Sequence, residues 1–169
     1  MTIVYMEGTA KYARIFEGQE DLGTNLEVGS DQRNKLESVK GHFVMNLMMT
    51  EEAKKKAIAD GIPTKGMVGQ YWKEDQDGNI FYKCVRKNFN PKFVDKETGE
   101  PGVLMGPPVV VKQTDDGVEP WDREADGAIG DGSTVVVKMN VWDGKISEML
   151  AVKVVEHVEY VPETQEGDF

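Results

Sequence analysis

Residues Ser133 to Trp142 read STVVVKMNVW, and residues Ile146 to Tyr160 read ISEMLAVKVVEHVEY. Both stretches are rich in β-branched and aromatic side chains, which favour the extended backbone of a strand. Between them lies Asp143-Gly144-Lys145, and an Asp-Gly pair between two such stretches is typical of a tight hairpin turn. The segment predicts a β-hairpin, and we therefore expect a fold built mainly from strands.

Alternate side chains of a strand point to opposite faces, and this period separates two sets in the first strand of the hairpin. One set is wholly apolar and is expected in the core, namely Val135, Val137, Met139 and Val141. The other set mixes polar, cationic and aromatic side chains, namely Thr134, Val136, Lys138, Asn140 and Trp142. Lysine, asparagine and tryptophan in line suit the stacking of nucleobases. The alternative is a plain solvent face on which Trp142 caps the hairpin.

Outside the hairpin, the pattern predicts further strands and one helix. The expected strands are Ile3 to Phe16 with a bulge or bend at Gly8, Lys40 to Met49, a basic strand from Ile80, and Val109 to Gln113. The polar segment Glu17 to Val39 is expected to be a long loop. Thr50 is a good N-cap, acidic residues follow it, and Gly61 with Pro63 ends the predicted helix, Glu51 to Asp60.

The expected fold class is all-β with one short helix. There is no alternation of strand and helix, so a parallel doubly wound fold is excluded. An antiparallel barrel removes exposed strand edges, and the OB-fold, a five-stranded Greek-key barrel, suits the length and the basic strand. A β-sandwich is the alternative. We expect one domain, residues 1–160, followed by an acidic C-terminal tail, residues 161–169.

The basic strand lies within Ile80 to Lys92 (IFYKCVRKNFNPK), which has four cations, three aromatics and no acid in a chain of net charge -10. Cations follow phosphates and flat rings stack on unpaired bases, so this mixture favours single-stranded nucleic acid. The predicted binding face carries Phe81, Lys83, Val85, Lys87 and Phe89, and the other face carries Tyr82, Cys84, Arg86 and Asn88. In the alternative, a barrel buries Phe81, Val85 and Phe89, and the lysine stems extend past them to water. The first strand offers a similar basic-aromatic mixture, Lys11, Tyr12, Arg14 and Phe16, although strands commonly contain Tyr and Phe for packing; Lys11 and Arg14 join the candidate site.

An acidic total charge usually argues against nucleic-acid binding, but binding depends on the field within about 10 Å. The acids are concentrated in the segments Glu17 to Asp31 and Asp115 to Asp131 and after Lys153, away from the basic strand. The single cysteine, Cys84, excludes an internal disulfide and fits the cytoplasm.

Several other kinds of function find no support in the sequence. The two histidines lie far apart, and no nucleotide-binding, hydrolase or metalloprotease motif occurs, so neither a metal, a cofactor nor an enzyme activity is expected. No apolar stretch approaches the ~20 residues of a membrane helix.

The segment PETQEGDF combines acids with an aromatic: Glu163, Glu166, Asp168 and Phe169. A frayed, solvated tail is one interpretation. The other is a partner-binding tail, whose ring enters a pocket while its acids meet a basic rim.

Several short motifs, in order, resemble the bacteriophage single-stranded DNA-binding proteins of the OB-fold class, those of short-tailed coliphages and their relatives in other tailed phages. The motifs are Gly8-Thr9-Ala10 before Tyr12, Lys40-Gly41, Lys83-Cys84, Ile129-Gly130-x-Gly132-Ser133 and Gly167-Asp168-Phe169. The resemblance implies DNA contacts from Lys40, Lys83 and the strand Lys138 to Trp142. It also implies that the tail recruits phage or host replication proteins, polymerase and helicase or primase, in the host cytoplasm.

Two departures from that family are visible. The tail is much shorter here, which weakens the expectation of tail-mediated dimerisation, and the sequence specifies no oligomeric state. Val85 stands where relatives carry a tyrosine, so stacking on the basic strand falls to Phe81 or Phe89. The alternative function is an interaction or assembly protein that binds no nucleic acid and uses its acidic surface.

Overall fold

The computed structural model describes residues 2–65, 71–142 and 146–160, which contain ten β-strands and three short helices. The strands are β1 (Thr2–Arg14), β2 (His42–Met48), β3 (Trp72–Glu74), β4 (Ile80–Lys87), β5 (Phe89–Val94), β6 (Pro101–Leu104), β7 (Val109–Thr114), β8 (Gly117–Pro120), β9 (Thr134–Trp142) and β10 (Ile146–Glu156). The helices are α1 (Asp31–Ser38), α2 (Glu51–Asp60) and α3 (Arg123–Asp126). The predominantly β class is confirmed, but the sequence undercounts the elements. The strands β3, β6 and β8 and two short helices lie in segments with no predicted strand or helix, and β5 begins within the segment of the predicted basic strand.

Eight strands form one sheet in the order β3-β4-β2-β1-β9-β10-β7-β8, and β5 and β6 form a separate pair. Neighbours in the large sheet are antiparallel, except β10 and β7, which are parallel. The predicted hairpin is confirmed as β9–β10, with Val141 opposite Ser147 and Val137 opposite Val152. Its predicted turn, residues 143–145, lies outside the described residues.

Side chains connect β4 to β10 at the two ends of the segment β4-β2-β1-β9-β10. Tyr82 Oη and Ser147 Oγ lie 2.7 Å apart, and Arg86 Nη1 donates a hydrogen bond of 2.7 Å to Glu148 Oε1. No backbone ladder joins these two strands among the described residues. The architecture is therefore a large mixed sheet that backbone hydrogen bonds do not close into a barrel among the described residues, and the closed five-stranded barrel stays a prediction.

The core lies on one face of the five strands β1, β2, β4, β9 and β10. Its buried side chains include Val4, Met6, Phe43, Met45, Leu47, Tyr82, Cys84, Val135, Val137, Met139, Met149, Val152 and Val154. The predicted apolar face of β9 is thus confirmed. Burying each large apolar side chain stabilises the fold by about 1.5–3 kcal/mol relative to exposure.

The bulge in β1 lies four residues beyond the predicted position. The register between β1 and β2 shifts between Lys11 and Arg14, and Tyr12 has a left-handed backbone with φ 52°. Gly8 is required for a different reason, because a Cβ at this position would collide with the carbonyl oxygen of Met48. The glycine permits close approach of β2 and leaves the strand regular.

The helix expected after β2 is confirmed with its predicted bounds. Thr50 Oγ1 accepts a hydrogen bond from the Ala53 amide, and Gly61, with φ 126°, ends α2. The predicted loop from Glu17 to Val39 contains α1, whose N-cap Ser30 accepts from the Arg33 amide. Among the described residues, no helix is long and apolar enough to cross a membrane.

Candidate nucleic-acid interface

The face of β1, β2 and β4 that points away from the core is called here the outer face. Tyr82 and Cys84 of β4 are fully buried, so the residues alternating with them lie on the outer face. Cross-strand pairing places its side chains in rows, namely Phe81–Met48–Thr9, Lys83–Asn46–Lys11, Val85–Val44–Arg14 and Lys87–His42. Of the predicted binding face, Phe81, Lys83, Val85 and Lys87 therefore share the outer face with Lys11 and Arg14.

Lys11 and Lys83 flank Asn46 on neighbouring strands, so their stems start about 10 Å apart, two strand spacings. This spacing lets both ammonium groups contact one extended phosphate chain. Burial, followed by the charges of Lys83 and Lys87, lowers the pKa of His42 from 6.5 to about 4, and the charge of Asp21 opposes this effect. The outer face is cationic in a chain that is acidic as a whole.

A groove of about 400 Å³ opens on the outer face at the row of Phe81. Its lining residues are Lys11, Tyr12, Asn46, Met48, Glu74, Asp75, Gln76, Asp77 and Phe81. The acidic wall belongs to the turn between β3 and β4. There Asp75 Oδ1 accepts from the amides of Asp77 and Asn79, both at 2.9 Å, and the backbone bond from Asn79 is the main cause that lowers the pKa of this carboxyl. Asp75 is therefore engaged in holding the turn.

Lys40 and Phe89 meet at the other end of the outer face, beyond the row of Lys87 and His42. The Lys40 ammonium lies 4.5 Å from the centroid of the Phe89 ring, a cation–π contact. Lys40 has a left-handed backbone with φ 55°, and the Phe89 amide donates to the Val39 carbonyl at 2.8 Å. Phe89 begins β5 and does not continue the alternation of β4, contrary to the face assignment made from the sequence.

The predicted residues of β9 lie on the far side of β1. Lys138 is paired with Tyr5 of β1, and Trp142 lies half-buried at the end of β9. Asn140 is only 5% exposed, and its Oδ1 has no hydrogen-bond partner among the described residues. The open platform of Lys138, Asn140 and Trp142 that the alternation predicts is therefore interrupted by a buried amide.

Three residues of this surface were not among the predicted site residues, although the sequence already marked Tyr12 as part of the basic-aromatic mixture of the first strand. Tyr12 is 60% exposed in the groove, and Tyr5 is 55% exposed beside Lys138. Lys73 of β3 is exposed opposite Phe81. The period of two along β1 already places Tyr5 on the side of Lys11, and this signal was present in the sequence.

Two other aromatics are occupied by packing. Phe16 stacks on Trp121 with ring centroids 6.4 Å apart, and Trp121 meets His157 edge-on at 4.9 Å. The tail residues Glu163, Glu166, Asp168 and Phe169 lie outside the described residues, so the role of the tail stays a prediction.

The cysteine thiol and the possible metal ligands determine whether thiol or metal chemistry has a site in the part of the chain that the structure describes. Cys84 is buried, and burial raises the pKa of its thiol to about 12, which keeps it protonated and unreactive. No group of three or more histidine, cysteine or carboxylate side chains in the described ranges is arranged to hold a metal ion.

Comparison with solved structures finds this fold in a single-stranded DNA-binding protein from bacteriophage Enc34. Its C-terminally truncated form matches with a TM-score of 0.50 and 12% identity, over 94% of this chain and 88% of that chain. A second structure of the Enc34 protein matches with a TM-score of 0.50 and 12% identity, over 96% of this chain and 86% of that chain. No family model and no curated protein matches the sequence. At 12% identity the likeness concerns the fold alone. The resemblance to phage single-stranded DNA-binding proteins is confirmed at the level of the fold.

Proposed function

We propose that this protein binds single-stranded DNA without sequence preference and that the strand lies along the outer face. The observation that carries the proposal is the row Lys83–Asn46–Lys11, which continues to the exposed ring of Tyr12 and lies beside Phe81. The two lysines, on the strands that flank β2, follow the phosphates, and the rings stack on bases of any identity.

The fold likeness supports this proposal, because the Enc34 protein is named for binding single-stranded DNA. We also propose that β4, β2, β1, β9 and β10 are the five strands of an OB-fold. Such a barrel is partly open, and here the contacts of Tyr82 with Ser147 and of Arg86 with Glu148 take the place of the missing ladder between β4 and β10.

The remaining parts of the proposal concern partners. The acidic tail, with Glu163, Glu166, Asp168 and Phe169, recruits replication proteins, namely a polymerase and a helicase or primase of the phage or its host. The protein acts in the host cytoplasm, where it protects single strands during replication or recombination. It needs no cofactor and has no enzyme activity of its own.

The test is a titration of fluorescein-labelled oligo-dT, longer than the ~4–16 nucleotides that one OB-fold covers, followed by anisotropy at two salt concentrations. We expect binding that weakens as salt rises, because phosphate contacts release counterions. An oligo-dA of the same length is the control for sequence preference. No binding of either strand at low salt would overturn the proposal and favour the alternative, an assembly protein that uses its acidic surface.

A further inference from the structure

Tyr12 adopts a backbone conformation that tyrosine rarely takes. Its φ is 52°, in the left-handed region, and it lies at the shift in register between Lys11 and Arg14. Residues other than glycine are strained in this region, and such strain persists only where surrounding contacts hold the residue. The contacts that hold Tyr12 are therefore informative.

The turn before β9 supplies these contacts. Asp131 Oδ1 accepts a hydrogen bond of 2.8 Å from the Tyr12 amide. Next to it, the Gly132 amide donates to the Ala10 carbonyl at 2.9 Å, and the Ala10 amide donates to the Ser133 carbonyl at 2.8 Å. Three hydrogen bonds thus fasten the bulge of β1 to this turn, and only the bond to Asp131 comes from a side chain.

The turn is itself anchored. Ser133 Oγ donates to the Gly130 carbonyl at 2.9 Å and accepts from the Val158 amide at 2.8 Å. A Cβ at Gly130 would collide with the backbone of Val158 and Glu159. Asp131 therefore projects from a fixed support, and its carboxylate is exposed at the edge of the outer face.

The consequence of the bulge is the position of the Tyr12 ring. The ring is 60% exposed, the Lys11 ammonium lies 5.3 Å from its centroid, and both residues line the groove with Phe81. A flat ring beside a cation is the combination that a nucleotide needs, the base against the ring and the phosphate against the ammonium.

We propose that Tyr12 is a base-stacking residue and that Asp131 is the positioning residue that holds it in place. The inference rests on the proposed function and deepens it. It also predicts whether removal of the Asp131 carboxylate strengthens or weakens DNA binding. A carboxylate beside a DNA site repels phosphates, so its removal strengthens binding if it acts by charge alone, whereas removal of a positioning residue weakens binding.

The experiment measures oligo-dT affinity for Asp131→Ala, Asp131→Asn and Tyr12→Ala. Tyr12→Ala is expected to weaken binding about 5- to 150-fold, the loss of one stacked base. Asp131→Ala is expected to weaken binding as well. Its loss of affinity does not exceed that of Tyr12→Ala, because Asp131 contributes to binding only by positioning the Tyr12 ring. Asp131→Asn keeps an acceptor oxygen without the charge, so it binds as tightly as the wild type or more tightly.

Two further variants make the outcome unambiguous. Asp77→Ala removes a carboxylate from the opposite wall of the groove and is expected to strengthen binding by charge alone. In the double variant Asp131→Ala/Tyr12→Ala, the loss does not exceed that of Tyr12→Ala, because the two residues act through one ring and the removed charge only favours binding. If Asp131→Ala fails to fold by circular dichroism, Asp131→Gly replaces it, since glycine fits any turn.

Tighter binding by Asp131→Ala, or additive losses in the double variant, would overturn the inference and leave the proposed function intact. Absence of binding by the wild type would overturn both.

Discussion

At the scale of single residues, the lysines of the outer face lie near a histidine, His42, and help to lower its pKa. His42 lies opposite Lys87, its cross-strand partner, and two rows from Lys83 on the same face, with Asp21 as the opposing charge. Burial is the main cause of its lowered pKa, and the two lysines add to it. The neutral imidazole is therefore the form that the folded protein prefers.

This preference makes stability depend on pH. The pKa of His42 is about 4 in the folded protein and 6.5 when unfolded, so the unfolded chain binds the proton more tightly. The stability that the neutral imidazole of His42 contributes to the folded protein is fully present above pH 6.5 and is lost as pH falls towards 4. Relative to His42→Gln, the wild type is expected to lose between about 1 and 2 kcal/mol of unfolding free energy from pH 7.5 to pH 5.

Urea unfolding of both proteins at the two pH values measures this difference, and the comparison cancels the carboxylates that titrate in both. Equal losses in wild type and variant would show that neither burial nor the lysines of the outer face act on the imidazole of His42.

At the scale of the elements, much of the fold was predictable where one local rule dominates. The hairpin of β9 and β10 and the helix Glu51–Asp60 were predicted because turn and capping residues fix them locally. The short strands β5, β6 and β8 were missed, since their exposed side chains give no alternation of apolar and polar residues.

The candidate site shows the same division. Alternation along β4 placed Phe81, Lys83 and Lys87 on one face, as the structure has them. It failed for Phe89, because the chain leaves β4 after Lys87, and it overlooked the exposure of Tyr12, because the bulge depends on a turn 119 residues away.

Residues 161–169, which the sequence predicts to form an acidic tail, carry a prediction of their own. A tethered acidic segment competes for a cationic face at an effective concentration near the millimolar range. Deleting residues 162–169 is therefore expected to leave the melting temperature unchanged and to strengthen oligo-dT binding, most at low salt. The same deletion abolishes recruitment of the replication enzymes.

A matched control replaces Glu163, Glu166 and Asp168 by their amides, which keeps the length and removes the charge. This variant is expected to reproduce the gain in DNA binding. Weaker DNA binding after the deletion would contradict competition for the outer face, and full recruitment of partners without the tail would contradict its recruiting role.

At the scale of the whole molecule, the account depends on separation of charge. The chain carries -10 in total, yet the outer face brings together Lys11 and Arg14 of β1 with Lys83 and Lys87 of β4, on either side of β2. The sequence revealed the basic strand, but only the strand order β4-β2-β1 shows that the cations of β1 reinforce it. Local field, and not total charge, decides whether a polyanion binds.

The most direct test of the central claim is the salt dependence of oligo-dT binding in Lys11→Ala/Lys83→Ala. The control is Lys55→Ala/Lys96→Ala, which changes the net charge equally through exposed lysines that lie outside the outer face. Removing one lysine that neutralises a phosphate flattens the slope of log K against log salt by about 0.7, so the account predicts a slope smaller by about 1.4 in the first variant and an unchanged slope in the control. An unchanged slope in Lys11→Ala/Lys83→Ala, or an equal change in the control, would contradict binding on the outer face.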